Sequence, residues 1–319
     1  MSWRQVRGPV AGMLLAALVV PAGCVAQGPA ERDRPAGVEA PRPAGVRDPA
    51  SPPAADDDQS CDPRASLRPA GGDGPAVARI RARGRLIAGV SQNAYRVGFR
   101  DPATGQLAGF EIDLVREIAR DLLGSPDRVQ FVALSAADRI PSLTNGSVDL
   151  VVRTMTMTCR DWQQVAFSTE YYRAAQRLLV PRDSGVTNLA QLAGSKVCAA
   201  TGSTSISNIA AYPGVIPVSA AEVLDCLVLL QQQQVAAVST SDILLAGLAA
   251  QDPTTVVVGP PVKAQPYGVA VAPAATDLVR FVNRVLERVR RDGTWRASYQ
   301  RWLSILGPAP APPPARYRR

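Results

Sequence analysis

From Leu86 onward the chain alternates short apolar runs with segments of helical period, and no other feature restricts its fold as much. LIAGV (86–90) reads as a strand. GFEIDLVREIARDLLG (109–124) places Ile112, Val115, Ile118, Ala119 and Leu122 on one helical face and stops at a glycine. VQFVAL (129–134) and VDLVV (148–152) read as further strands, with a short helix at RIPSLTNG (139–146) between them. Strand–helix–strand units at this spacing predict a parallel α/β sheet. A second cycle follows Arg182: the strand KVCAA (196–200), a TGSTS turn that opens a helix, the helix CLVLLQQQQ (226–234), the strand VAAVST (235–240), the helix SDILLAGLAAQ (241–251) and the strand TVVVG (255–259). YGVAVA (267–272) reads as a return strand, a last helix covers 276–293, and Trp295, Tyr299 and Trp302 form an aromatic close. Two α/β units crossed twice by the chain predict a hinged, two-lobed molecule. A ligand of such a molecule sits between the lobes, beyond the carboxyl ends of the strands.

The ends of the chain follow other rules. The apolar run VAGMLLAALVV (10–20) is too short to span a bilayer, follows Arg4 and Arg7, and precedes small residues, which is the pattern of a secretory signal. It ends at Pro21, Ala22, Gly23 and Cys24, the form of a lipobox in which the cysteine is acylated and becomes the mature N-terminus. Pro21 is unusual at its place, and the small residues also permit plain cleavage near Ala22. Residues 25–76 are rich in Pro, Ala, Gly and charge and lack an apolar period, so they read as a disordered tether. Within it Asp56, Asp57 and Asp58 lack the alternating spacing of a calcium loop and read as solvated linker. The expected organisation is a signal peptide at 1–23, a tether at 24–76, a first lobe from 77–181 with 267–306, a second lobe at 182–266, and an extended proline-rich tail at 307–319.

The formal net charge of +8 is spread along the chain with no basic stripe, which gives no footprint for nucleic acid. The chain has no histidine, so histidine-based triads and histidine-ligated metal sites are excluded. No glycine-rich phosphate loop or clustered acids appear, and no cofactor or metal is expected. Glu111 and Glu170 are the glutamates nearest to predicted strand ends, and helix start and turn explain them better than acid–base catalysis. The chain is therefore expected not to be an enzyme.

Residues 148–172, VDLVVRTMTMTCRDWQQVAFSTEYY, carry the strongest functional signal. A buried strand runs into the hydroxyls of Thr154, Thr156 and Thr158, then Arg160 and Asp161, then Phe167, Tyr171 and Tyr172. Hydroxyls, a guanidinium and loose aromatics can grip a small zwitterion. The segment resembles the extracytoplasmic polar amino-acid-binding proteins of ABC importers (bacterial solute-binding protein family 3). GFEIDL, VDLVV with its threonines, FS-x-x-YY, GSTS, ILLAGLA, PYGVAV and DGTW extend the resemblance over about residues 79–307. The tail resembles that of glutamate- and glutamine-binding lipoproteins from high-GC Gram-positive bacteria.

The resemblance implies a type II periplasmic-binding-protein-like α/β fold, two lobes on a two-strand hinge, closing on a polar amino acid of the glutamate, glutamine or aspartate class. The implied partners are an ABC permease and, through Cys24, the outer face of the cell membrane. A ligand sensor signalling to a membrane protein, or a divergent binder with an altered ligand or none, are the alternatives. The family's carboxylate arginine aligns with Asp161, and the arginine stands one residue earlier, at Arg160. Gly202, Ser203, Thr204 and Ser205 match the turn that donates to the α-carboxylate. The family's ammonium-binding acid aligns with Ser241, leaving Asp242 beside it, and Ser91 replaces an aspartate near the first strand. Arg139 matches an arginine that contacts acidic side chains in glutamate- and aspartate-binding relatives. Tyr95 and Tyr172 are candidate walls. The expected ligand set is thus Arg139, Thr154, Thr156, Thr158, Arg160, Thr204, Ser205 and Asp242.

Four cysteines besides Cys24 allow three connectivities in an exported chain. Cys198 on a strand and Cys226 on a helix fall in one predicted lobe, which pairs them and leaves Cys61 for Cys159.

Overall fold

The computed structural model describes residues 40–53, 55, 60–70 and 73–318. The signal segment, Cys24 and the run of Asp56, Asp57 and Asp58 lie outside the described residues.

Two five-stranded sheets organise the chain from Pro41 onward. In the first, Val129–Ala133, Leu86–Val90 and Leu150–Val152 lie parallel, and Ala270–Val271 returns antiparallel to join Ala166–Phe167. In the second, Ile216–Ala220, Lys196–Ala200 and Ala237–Ser241 lie parallel, Tyr172–Pro181 runs antiparallel beside Ala237–Ser241, and Thr255–Tyr267 pairs antiparallel with Tyr172–Pro181 at the edge. Helices cover the sheets and bury the expected faces. On Phe110–Leu123 these are Ile112, Val115, Ile118, Ala119 and Leu122, with Gly124 in the left-handed conformation as its stop. Gly109 starts that helix at φ +126°, and a Cβ there would stand 2.4 Å from the Val97 carbonyl oxygen, so only glycine fits.

The lobes join where Tyr172 pairs with Tyr267 and Arg173 with Pro266. The strand Tyr172–Pro181 therefore runs from the hinge into the second sheet, with Tyr172 and Ala174 in the first lobe's core and Leu178, Leu179 and Val180 in the second's. Its alternation of buried residues with Arg173 and Arg177 is the period-2 pattern of a strand. Two further helices add to the expected elements. Pro75–Arg83 starts on a proline and ends at the left-handed Gly84, and Thr294–Leu303 carries Trp295, Tyr299 and Trp302.

The segment read as a disordered tether departs most from expectation. Arg47 forms an antiparallel bridge with Ser219, and the Ala50 N–H donates to the Pro217 carbonyl at 2.7 Å. Lys196 meets Asp48 at 2.7 Å, and Ala50 is buried in the second lobe's core. Further along, a disulfide joins Cys61 to Cys159, the Ser66 hydroxyl donates to the Phe167 carbonyl, and Asn283 donates to Ser66 Oγ and the Leu67 carbonyl. Residues 46–50 are thus held by the second lobe and residues 61–68 by the first. The tail, expected to be extended, pairs Arg316–Tyr317 in parallel with Ala65–Ser66. The physical reason lies at the rims: Ile216–Ala220 is an outer strand whose free backbone groups take up Arg47. A second disulfide joins Cys198 to Cys226.

Candidate functional site

The carboxyl ends of the parallel strands in both sheets converge on one cavity of about 40 Å³. Ser91 and Arg153 follow two strands of the first lobe, and Thr201, Glu222 and Asp242 follow the three of the second within two residues. Ser91, Arg139, Arg153, Thr154, Thr156, Thr204, Ser205, Glu222, Gln265 and Tyr267 are among the lining residues.

Arg139 opens the short helix Arg139–Thr144 and is 8% exposed. Its guanidinium donates to four carbonyls: Ala136 at 2.8 Å, Arg153 at 3.2 Å, Thr154 at 3.3 Å and, across the cleft, Gly202 at 3.0 Å. Burial, with the Arg153 cation beside it, brings its pKa down to about 10 against the pull of Asp161. Arg153 donates through Nε to the Leu134 carbonyl at 2.5 Å, and its Nη2 stands 2.7 Å from Glu222 Oε2 in the other lobe. Burial raises the Glu222 pKa, and Arg153 opposes the rise.

The hydroxyls form a second bridge. Thr204 donates to Thr156 at 3.2 Å, and Gln265 on the hinge strand donates to Thr204 Oγ1 at 3.1 Å and Ser205 Oγ at 2.9 Å. Gln265 Oε1 is buried with no partner among the described residues. Thr154 has φ +41°, a strained value for a β-branched residue, and its N–H donates to Glu111 Oε1 at 2.7 Å. Strain of this kind concentrates at binding sites, where surrounding structure enforces it.

Five of the eight expected ligand residues line this cavity: Arg139, Thr154, Thr156, Thr204 and Ser205. Thr158 lines a neighbouring opening of about 520 Å³ that shares Thr156, Thr204 and Gln265 with it. Arg160 stands at the start of the turn Asp161–Gln163 and lines neither space. Asp242 begins the helix Asp242–Gln251, accepts the Ile243 N–H at 2.7 Å and does not line the cavity. Burial raises its pKa. Ser203 accepts the Ile206 N–H as a helix cap, the plain reading of that hydroxyl. Tyr95 is half-buried and packs edge-on against Phe99, Tyr172 is buried among Phe110 and Tyr267, and neither lines the cavity. Glu170 pairs with Arg173.

Arg153, Glu222 and Gln265 escaped sequence reasoning. Arg153 carried a signal, since a charge directly after a buried parallel strand points to the strand's carboxyl end. Glu222 looks like any acidic residue before a helix. Among the described residues no group of His, Cys, Asp and Glu could hold a metal ion, and no helix is long and apolar enough to cross a membrane.

Two α/β lobes on a two-strand hinge, with a polar cavity where their strand ends meet, define the class of two-lobed solute receptors. Residues 86–305 match bacterial extracellular solute-binding proteins, family 3, and the chain belongs to this family. It is 32% identical over 229 residues to the ABC transporter glutamine-binding protein GlnH of Bacillus subtilis, covering 71% of this chain and 84% of that one. It is 35% identical over 196 residues to a glutamine-binding protein of Geobacillus stearothermophilus, covering 61% and 75%. Among solved structures, the P235GK mutant of ArgBP from T. maritima superposes with a TM-score of 0.68 at 29% identity, over 72% of this chain and all of that one. The L-cysteine solute receptor of Neisseria gonorrhoeae gives 0.69 at 28% identity, over 72% and 95%.

Proposed function

We propose that this chain is an extracytoplasmic lipoprotein receptor that captures a polar amino acid of the glutamate, glutamine or aspartate class and delivers it to an ABC permease. The observation that carries the reading is the inter-lobe cavity, where buried guanidiniums, a carboxylate and threonine and serine hydroxyls from both lobes converge. Such a set matches a small molecule bearing both charges, and contacts to both lobes at once shift the population toward closure. Relatives named for glutamine favour that side-chain class.

A thermal-shift screen of the full chain against the twenty amino acids tests the proposal. A ligand at 100 times its dissociation constant adds about 2.7 kcal/mol of stability. Failure of glutamate, aspartate, glutamine and asparagine alike to raise the melting temperature overturns the ligand class. Anchoring rests on Cys24, and a clickable fatty acid incorporated equally into wild type and Cys24→Ala removes that part of the proposal. The observation favouring an altered ligand as second reading is that Arg160 and Asp242, the charged residues beside the positions aligned with the family's anchors, do not line the cavity.

A further inference from the structure

We propose that Arg153 and Glu222 are the anchors for the two ends of the zwitterion, Arg153 taking the ligand's carboxylate and Glu222 its ammonium. The inference rests on the amino-acid receptor reading above and adds residues that the family resemblance does not supply.

The two side chains stand on opposite lobes. Arg153 directly follows the strand Leu150–Val152, and Glu222 directly precedes the helix Val223–Gln231. Their side chains are 7% and 21% exposed, both line the cavity, and they meet at 2.7 Å. A cation and an anion contributed by separate lobes to one cavity present the complement of a zwitterion. A guanidinium carries five N–H donors, and Leu134 and Glu222 engage two of those on Arg153. The remaining donors suit a planar carboxylate. Arg139 differs, because four of its donors already serve backbone carbonyls and it braces the loops instead.

The positions implied by the family fit the same picture. The residue aligned with the carboxylate arginine is Asp161, which repels a carboxylate. The residue aligned with the ammonium acid is Ser241, whose buried hydroxyl is neutral. A zwitterion needs its charges supplied elsewhere, and Arg153 and Glu222 supply both signs in the cavity.

Exchange is also favourable in kind. A buried ion pair broken by removing one partner is strongly destabilising, because a charge is left uncompensated. A zwitterion entering between Arg153 and Glu222 leaves each of them paired, so that cost does not arise. The cavity has room for roughly three waters at about 10–15 Å³ each. An amino acid therefore enters only when Arg153 and Glu222 separate, and with them the lobes. Once bound, its two charges rejoin Arg153 of one lobe to Glu222 of the other, which couples occupancy to closure.

Calorimetric titration of the full chain and the variants Glu222→Gln, Arg153→Gln and Arg153→Lys tests the pair. The probes are L-glutamine, 4-carbamoylbutanoate, which lacks the ammonium, and 4-aminobutanamide, which lacks the carboxylate. Glu222→Gln should weaken glutamine at least 30-fold and leave 4-carbamoylbutanoate within threefold of its wild-type affinity. Arg153→Gln should weaken glutamine and 4-carbamoylbutanoate together while sparing 4-aminobutanamide, and Arg153→Lys, which keeps the charge without the planar fork, should recover part of the glutamine affinity. Where the analogues bind wild type too weakly to measure, the glutamine losses and the lysine recovery decide. Glutamine affinity kept within threefold in either glutamine variant overturns the pair's role while the receptor reading stands, and so does an equal loss of glutamine and 4-carbamoylbutanoate in Glu222→Gln. A wild-type chain that binds no amino acid in the thermal screen overturns both.

Discussion

Glu111 holds the strained corner of the cavity, and its removal has a magnitude that follows from its contacts. It is 1% exposed, Oε1 accepts from the Thr154 N–H and the Tyr171 hydroxyl, and Oε2 has no partner among the described residues. Glu111→Ala leaves two buried donors without an acceptor at about 1–3 kcal/mol each, so a loss of about 2–6 kcal/mol is expected. At about 2–4 °C per kcal/mol for a domain of 150–250 residues, melting falls by roughly 4–24 °C. Glu111→Gln differs, because its carbonyl oxygen can keep both bonds where Oε1 stands. Burial raises the Glu111 pKa above its ordinary 4.5, with the Tyr171 and Thr154 hydrogen bonds opposing. A carboxyl raised on folding contributes stability that is complete below its unfolded pKa and is lost as pH rises through the folded value. Glutamine does not titrate. Wild type and Glu111→Gln should therefore melt alike near pH 4, and the glutamine variant should pull ahead as pH rises toward 8. Circular-dichroism melts of wild type and both variants across that range provide the assay. A wild type that gains on Glu111→Gln with rising pH, or a Glu111→Gln that falls as far as Glu111→Ala at pH 7, refutes the reasoning.

Thr154→Gly removes a β-branched residue from φ +41°, which relieves about 1–3 kcal/mol of strain against a glycine entropy cost of about 0.5–1 kcal/mol. Urea melts should show a gain of about 0.5–2 kcal/mol, and a loss contradicts the assignment of strain. Gly202→Ala puts a Cβ 2.8 Å from Ala137 Cα across the cleft at φ +73°, so the lobes should meet less closely. Small-angle scattering should then show a larger radius of gyration, and an unchanged radius counts against the contact. The double variant Cys61→Ala with Cys159→Ala opens a loop of 98 residues, which the chain-entropy relation values at up to about 4.7 kcal/mol. An unchanged urea midpoint under oxidising conditions rules out a stabilising role for that link.

What was legible in the sequence was whatever repeats with a fixed period. The strands Leu86–Val90 and Lys196–Ala200 and the helix Phe110–Leu123 announce themselves through apolar runs and glycine stops, so their place survives the step to three dimensions within a residue or two. Residues 41–53 and 60–70 carry no such period, because their order comes from partners far away in sequence. Arg47 is ordered by Ser219, Ser66 by Phe167 and Asn283, and the Trp162 indole by the Pro63 carbonyl. Composition rich in Pro and Ala describes what a segment cannot do alone, and says little about a sheet rim that can hold it. The strand Tyr172–Pro181 escaped for a related reason, since its lobe is decided by the pairing of Gln176 with Ser241 and Lys263 rather than by its own pattern.

The site shows the same division between position and identity. Parallel topology turns the carboxyl ends of the strands toward the cleft, and Arg153, which follows Leu150–Val152, reaches the cavity, whereas Asp242 after Ala237–Ser241 does not. Arg160 stands eight residues beyond Leu150–Val152, at the edge of a turn. Asp161, aligned with the family's arginine, acts on Arg139 as an opposite charge, and Arg139 in turn holds the Arg153 and Thr154 carbonyls. A sign reversal at Asp161 is therefore not an isolated loss. The carboxylate there favours the charged form of buried Arg139, whose guanidinium holds the carbonyl of the residue that reaches Glu222. On this reasoning Asp161→Arg does not restore a family-type anchor, because it sets a third guanidinium against Arg139 and Arg153 and loosens the loop that carries the cavity's own cation.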